Sequence, residues 1–418
     1  MQITLPYGSQ SISFSPEFKL NKDKVIVPNY ISKLSDFEAI LNKALENPIG
    51  SEPLPELLKK SNRIAILLDD ITRPGPKKQV VTFLVRYLIK YGIKKSDILI
   101  MFATGLHRKH TYSEWEYMLG SKILSEFRVM DHDPDGEYRY FGETKRGTPV
   151  EINKLVADAD ITIGVSYLGI HDFAGYTGGA KIILPGVSSR RSVQINHVLS
   201  LDERSQPGVA DGNPAREDME EAAKLFGYDF SINIPLNYNE EPVGIYAGDF
   251  IKAHRQGIGQ VDFMYKIKVD KKVDVIFVSA GGFPNDISLY HASRALVYCS
   301  NVIREGGTLV LISECKEGIG NSDTEEIIKK YDNNIEEITD HLRMHYTIGK
   351  WVGWKILSYA EKFDIIVVSD KIDEEIFTKT KIKISKNISK ALEFVYKKHG
   401  KEFDYLIIPY GNVTLPII

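Results

Sequence analysis

The stretch RIAILLDDITRPGPKKQVVTFLVRYLIKYGIKKSDILIMFAT, Arg63 to Thr104, decides the fold. RIAILLDD (63–70) and DILIMFAT (97–104) are short apolar, β-branched runs, and KQVVTFLVRYLIKYG (78–92) between them repeats its apolar residues at helical spacing. Strand, helix, strand at this separation is a βαβ unit and implies a parallel sheet.

The same alternation runs outward from there. DITIGVS (160–166), KIILPGV (181–187) and SINIPLN (231–237) read as further strands, and AREDMEEAAKLFG (215–227) as a helix started by Asn213-Pro214 and stopped by Gly227. Beyond the Lys-rich segment near 265–272 a second set follows: DVIFVSA (274–280), GTLVLISEC (307–315) and FDIIVVSD (363–370). A helix over 286–307 is bounded by Asp286 and a double glycine. At 418 residues two domains are expected. The reading is an α/β protein of two domains, each a mostly parallel or mixed sheet flanked by helices, with the active site in the interdomain cleft. Residues 1–268 form the N-terminal domain and 269–403 the C-terminal one. The last strand, DYLIIPYGN (404–412), can belong to either, so 404–418 is able to return to the first.

Composition excludes several classes. A net charge of −3 gives no reason to expect nucleic acid or an anionic membrane as partner. No apolar run reaches the roughly 18 residues of a membrane helix, and MQITLPYGSQ has neither the basic nor the apolar region of a secretory signal. Two cysteines, Cys299 and Cys315, fit no zinc or redox spacing, so a reduced, cytoplasmic protein is expected.

The candidate chemistry sits at strand ends. HDFAGYTGGAKIILPG (171–186) is rich in glycine but fails as a Walker A loop, because Ala180 precedes Lys181 and Ile182 follows it. It also lacks G-x-G-x-x-G and leads into an expected strand rather than a helix, so it fails as a dinucleotide fingerprint. Backbone amides of Gly178 and Gly179 could still cup an anion. Lys181 is either an edge lysine in water or a partly buried amine that loses its charge and becomes a nucleophile. LLDDITRPGP (67–76) offers Asp70 and Arg73: either a local pair, or an arginine suited to bidentate capture of a carboxylate. FATGLHRKH (102–110) and YLGIHDFAGY (167–176) place His107 and His171 at the ends of strands of one sheet, a pair suited to acid/base work. His197, in QINHVL after SSRRS, falls in a helix, either as a metal ligand or as a surface residue. MDHDPDGE (130–137) reads as an exposed turn. In SAGGFPNDISLYHASRAL (279–296), Tyr290 and Arg294 share a helix face, with His291 one residue round.

Taken together, DDITRP, TGLHR, HDFAGYTGGAKIILPG followed by NH, and GGFPNDISLY resemble the nickel-pincer nucleotide-dependent lactate racemase family, in its order and approximate spacing. The resemblance implies a pyridinium mononucleotide with two sulfur-containing arms, tethered to a lysine through a thioamide and holding nickel through one carbon and two sulfurs. Lys181 matches the tether and His197 the protein ligand to nickel. His107 and His171 match the acid/base pair, Arg73 the binder of the substrate carboxylate, and Asp70 its polar neighbour. Asp70, Tyr290, His291 and the Gly178–Gly179 loop would face the cofactor, and Arg294 the substrate. The implied reaction is racemisation or epimerisation of a 2-hydroxy acid by reversible hydride transfer, in an isomerase that depends on cofactor-maturation proteins. The lactate-specific pattern has glutamine and lysine where this chain has His291 and Arg294, so a malate-like, aryl-substituted or sugar-derived acid is expected as readily as lactate. The rivals are a nicotinamide-dependent 2-hydroxy acid oxidoreductase, against which the missing G-x-G-x-x-G counts, and a non-catalytic small-acid or nucleotide-binding protein. Against the second stand His107, His171 and Lys181, because binding alone needs neither a base pair nor a nucleophile.

Overall fold

A computed structural model describes residues 2–58, 63–330 and 334–418. The chain divides into two compact units, one of Tyr30–Met264 and one of Met1–Asn29 with Tyr265–Ile418.

In the first unit the chain forms Ile64–Leu68, Ile98–Phe102, Arg128–Asp131, Ile161–Leu168, Phe230–Pro235 and Tyr246–Gly248, paired as one six-stranded sheet. Numbered one to six along the chain, they lie in the order three-two-one-four-five-six, with only the sixth antiparallel. The Lys77–Lys90 helix is the expected crossover between strands one and two. Its Val80, Val81, Leu84 and Leu88 pack with Ile64, Ile66 and Leu68 in one buried cluster. Truncating such a leucine to alanine costs about 2–5 kcal/mol. Successive crossovers diverge where strand order reverses, between strands one and four, and leave a crevice beyond their carboxyl ends. Asp69 and Asp70 follow strand one there, and the glycine-rich loop follows strand four.

The expected strand at 181–187 is absent. Gly178 and Gly179 have φ of +74° and +57° and open a 3-10 turn over Gly179–Ile182. Ile183, Leu184, Gly186 and Val187 then bond back to Ala180, Lys181 and Ile183. A short apolar run buried on all sides has no periodicity to separate strand from turn. MDHDPDGE is also only partly a turn, because Asp131 ends a strand and His132 is buried, donating from Nε2 to Ser188 O at 2.9 Å.

The second unit carries five parallel strands. Numbered along the chain as Val273–Ser279, Ile303–Ile312, Asp364–Val368, Lys383–Ser385 and Tyr405–Ile408, they lie in the order four-three-two-one-five. Of the two strands within 404–418, Tyr405–Ile408 pairs with Val273–Ser279 and Leu415–Ile417 pairs parallel with Lys266–Lys268, both within this second unit. The opening residues, up to Asn29, also group with this unit. The Ile3–Tyr7/Gln10–Phe14 hairpin and Phe18 bury Ile3, Leu5 and Phe14 against Val275 and Phe277, with Phe18 stacked on Phe277 at 5.7 Å. The helix expected over 286–307 is shorter, Leu289–Cys299. Ser288 caps it, because Asp286 is occupied by the amides of Gly8 and Glu314. Among the described residues no helix is long and apolar enough to cross a membrane.

Candidate active site

Asp70 follows strand one and is buried. One carboxylate oxygen takes the Thr72 N–H (2.9 Å) and the Thr72 hydroxyl (2.5 Å), and the other takes Nδ1 of His107. An ionised carboxylate only accepts, so Nδ1 of His107 carries the proton and Nε2 presents a lone pair. Burial works to raise the Asp70 pKa, but the His107 hydrogen bond, the charges of His107 and Arg73, and Thr72 outweigh it and hold the carboxyl well below its ordinary range. Asp70 and Arg73 are thus not a local ion pair. Arg73 reaches only Thr72 Oγ1 at 3.4 Å, with no carboxylate within 4 Å among the described residues, which leaves its fork available to an anion.

Two buried groups missed in the sequence fix this loop. His110 donates from Nδ1 to Asp131 (2.6 Å) and accepts the Ile71 N–H on Nε2 (3.0 Å). Trp115 donates to the same carboxylate at 3.0 Å. Asp69 takes the Tyr167 N–H at 2.6 Å and ties strand one to strand four. His110 was visible in FATGLHRKH but had no signal separating it from His107. Arg108 in that motif is a surface residue, forked onto Glu114 at 2.6 and 2.8 Å.

His171 and Lys181 come from the loop after strand four. Nδ1 of His171 faces the N–H groups of Ala174 (3.3 Å) and Phe173 (3.5 Å), so it accepts, and the neutral ring carries its proton on Nε2. The Phe173 ring stands edge-on to His171 at 4.8 Å and to His197 at 5.1 Å, setting both imidazoles around one buried aromatic. Lys181 is half-buried by surface, but its amine is ringed by protein. Burial, then the charge of Arg73, lowers its pKa to about 7, with Arg216 acting in the same direction and Asp69 and Asp70 against it. The amine is therefore neutral in a large fraction of molecules at physiological pH, as a nucleophile requires.

His197 lies on the Arg190–Val198 helix, as expected. Buried Asp218 accepts from Thr144 (2.5 Å), Thr148 (2.7 Å) and the Asn196 amide nitrogen (2.9 Å). That turns the Asn196 oxygen toward Nδ1 of His197 at 3.2 Å, so Nδ1 donates and Nε2 is left as the basic nitrogen. Burial, then the charges of Lys181 and His107, lowers the His197 pKa to about 3, so the ring is a neutral donor at pH 7. Among the described residues no group of three or more His, Cys, Asp or Glu side chains could hold a metal.

Of the two glycines, Gly179 differs from expectation: its amide is taken by Asn233 Oδ1 at 2.8 Å and is not available to cup an anion. A Cβ at Gly178 would come to 2.6 Å from the same oxygen. Tyr290, His291 and Arg294 belong to the second unit, on its Leu289–Cys299 helix. Ser288 Oγ and Nδ1 of His291 are 2.8 Å apart, and burial, then the Arg294 charge, lowers the His291 pKa.

The family description "Lactate racemase N-terminal domain" matches residues 7–208 and "Lactate racemase C-terminal domain" residues 268–415. A lactate racemase of Lactiplantibacillus plantarum is 28% identical over 98% of each chain. One of Thermoanaerobacterium thermosaccharolyticum is 26% identical over 98% of this chain and 97% of its own. The solved lactate racemase apoprotein from the latter organism superposes with a TM-score of 0.90, at 26% identity and over 100% of both chains. A Thermotoga maritima protein shares the fold alone, at a TM-score of 0.68 and 19% identity over 93% of this chain and 100% of its own. By its two matched domains this chain is an isomerase and belongs to the lactate racemase family.

Proposed function

We propose that this chain interconverts the configurations at C2 of a 2-hydroxy acid, using His107 and His171 as acid/base groups and a nickel-pincer nucleotide attached to Lys181. One observation carries the reading. A lysine amine brought to about pH 7 shares its surroundings with a carboxylate-oriented histidine and a second, neutral histidine.

The residues fit such a cofactor. Lys181 has the neutral amine that thioamide formation needs, and His197 presents a basic nitrogen as a single protein ligand. The glycine loop leaves no room for a Cβ at Gly178 or, at 2.9 Å from Phe250 O, at Gly179. When bound, the cofactor supplies a hydride acceptor, which spares C2 from becoming a carbanion beside a carboxylate.

The protein supplies position and proton transfer. Arg73 takes the substrate carboxylate in a bidentate grip and fixes C2. His107, with its Nε2 lone pair and Asp70 behind it, takes the hydroxyl proton of one enantiomer. As C2 regains its hydride on the opposite face, His171 in its imidazolium form gives a proton from Nε2 to the keto oxygen. The reverse reaction exchanges their parts. Cofactor-maturation proteins are the partners this reading requires.

The test is a panel of enantiopure 2-hydroxy acids, covering lactate, malate, mandelate and a sugar-derived acid, given to protein produced together with the cofactor-making enzymes. Loss of optical purity in at least one is expected. No loss in any supports the binding-protein rival, and turnover only with added nicotinamide nucleotide supports the oxidoreductase.

A further inference from the structure

We propose that Arg216 is a positioning residue for the Lys181 site, fastening the carbonyl side of the loop that precedes the lysine so that Lys181 leaves it on a fixed bearing. The proposal rests on the reading above only for what Lys181 does.

Arg216 lies on the Pro214–Phe226 helix with none of its surface exposed. Nε donates to Ala174 O at 3.0 Å, Nη1 to Gly178 O at 3.1 Å, and Nη2 to Tyr176 O. The carbonyls in between are held too. Asn213 donates to Phe173 O at 2.7 Å, the Gly208 N–H to Gly175 O at 2.9 Å, and Nε2 of His254 to Thr177 O at 2.8 Å. Each of the six consecutive carbonyls from Phe173 to Gly178 is thus taken by a group outside the loop, three of them by one guanidinium.

Burying a cation is costly unless it is paired, and among the described residues Arg216 has no carboxylate within 4 Å. Carbonyl dipoles solvate it instead. Its planar fork spans three carbonyls pointing inward from a loop bent by glycines at positive φ, which a neutral or single-point donor cannot reproduce. The charge has a second effect. Lys181 is faced by Arg73, Arg216, Asp69 and Asp70, and its own charge is felt at His197. Among these groups Arg216 opposes protonation of the amine from within the loop's own support.

The experiment uses apoprotein, so it does not depend on the identity of the cofactor. Hydrogen exchange of peptides covering 173–181 and the pH midpoint of Lys181 acetylation by acetic anhydride are read by mass spectrometry in wild type, Arg216→Met and Arg216→Lys. Arg216→Met is expected to speed exchange in 173–181 at least tenfold, with strands 64–68 and 98–102 still protected, and to raise the Lys181 midpoint by about one pH unit. Arg216→Lys keeps the charge but not the fork, so its midpoint stays near wild type while exchange rises. Unchanged loop exchange and midpoint in a folded Arg216→Met overturn the proposal. If Arg216→Met loses protection throughout, His254→Leu decides: faster exchange confined to 176–179 supports the clamp and no change overturns it. A cofactor mapped away from Lys181 would defeat the tether reading and leave these results standing.

Discussion

Asp70 and His107 form a carboxylate–imidazole pair in which the carboxylate takes the Nδ1 proton and leaves the lone pair on Nε2. Asp70→Asn keeps the shape but can turn a donor toward Nδ1 and favour the wrong tautomer. In the loaded enzyme kcat should fall about 10²–10⁴-fold with KM little changed. Steady-state kinetics from each pure enantiomer check this, and a change in KM alone would place Asp70 in binding instead.

The two histidines start in opposite tautomers, His107 with Nε2 free of a proton and His171 with Nε2 protonated. A reaction that runs from both faces needs each histidine to serve as base in its neutral form and as acid in its imidazolium form. His107→Ala and His171→Ala should each abolish racemisation while the Lys181 adduct, read by intact mass, remains. Substantial turnover in either variant removes that histidine from the proton path.

Asp218 and Asn196 set the His197 tautomer through an amide that can point only one way. Asn196→Ala frees the ring to place its proton on Nε2. Nickel bound per Lys181 adduct should then weaken about 10–100-fold in a chelator competition measured by elemental analysis. Unchanged retention would mean that His197 is oriented by other groups.

Buried neutral histidines also set an acid limit. Burial lowers His132 to about 4 and His254 well below the usual value, whereas in the unfolded chain both titrate near 6.5. Their contribution is complete above that value and is lost as pH falls, because the unfolded chain takes up protons that the folded chain refuses. Between pH 6 and 5 these two account for up to about 2–3 kcal/mol of lost stability. Urea unfolding at the two values measures it. His254→Gln, which retains a donor for Thr177 O, should shallow the dependence by about one proton.

Sequence carried the strands because buried parallel strands are continuous apolar runs, and RIAILLDD and DILIMFAT have clear ends. It misassigned 181–187, where the same residue types fold into a turn, because burial on all sides removes the pattern that separates the two. It did not show which sheet the first 29 residues pack on, since a hairpin does not announce which sheet it will cover. His107, His171, Lys181 and His197 were visible because motifs surround them. Arg216, Asn196, Asp218 and His254 were not: they act on backbone carbonyls or on one another, contacts that exist only once the chain is folded.

The most direct measurement is peptide mapping of protein produced together with the cofactor-making enzymes. The expected result is one added mass, of a sulfur-containing pyridinium nucleotide, on the peptide carrying Lys181, absent in Lys181→Ala along with racemisation. An adduct on another residue, or full racemase activity without any adduct, would contradict the assignment of Lys181.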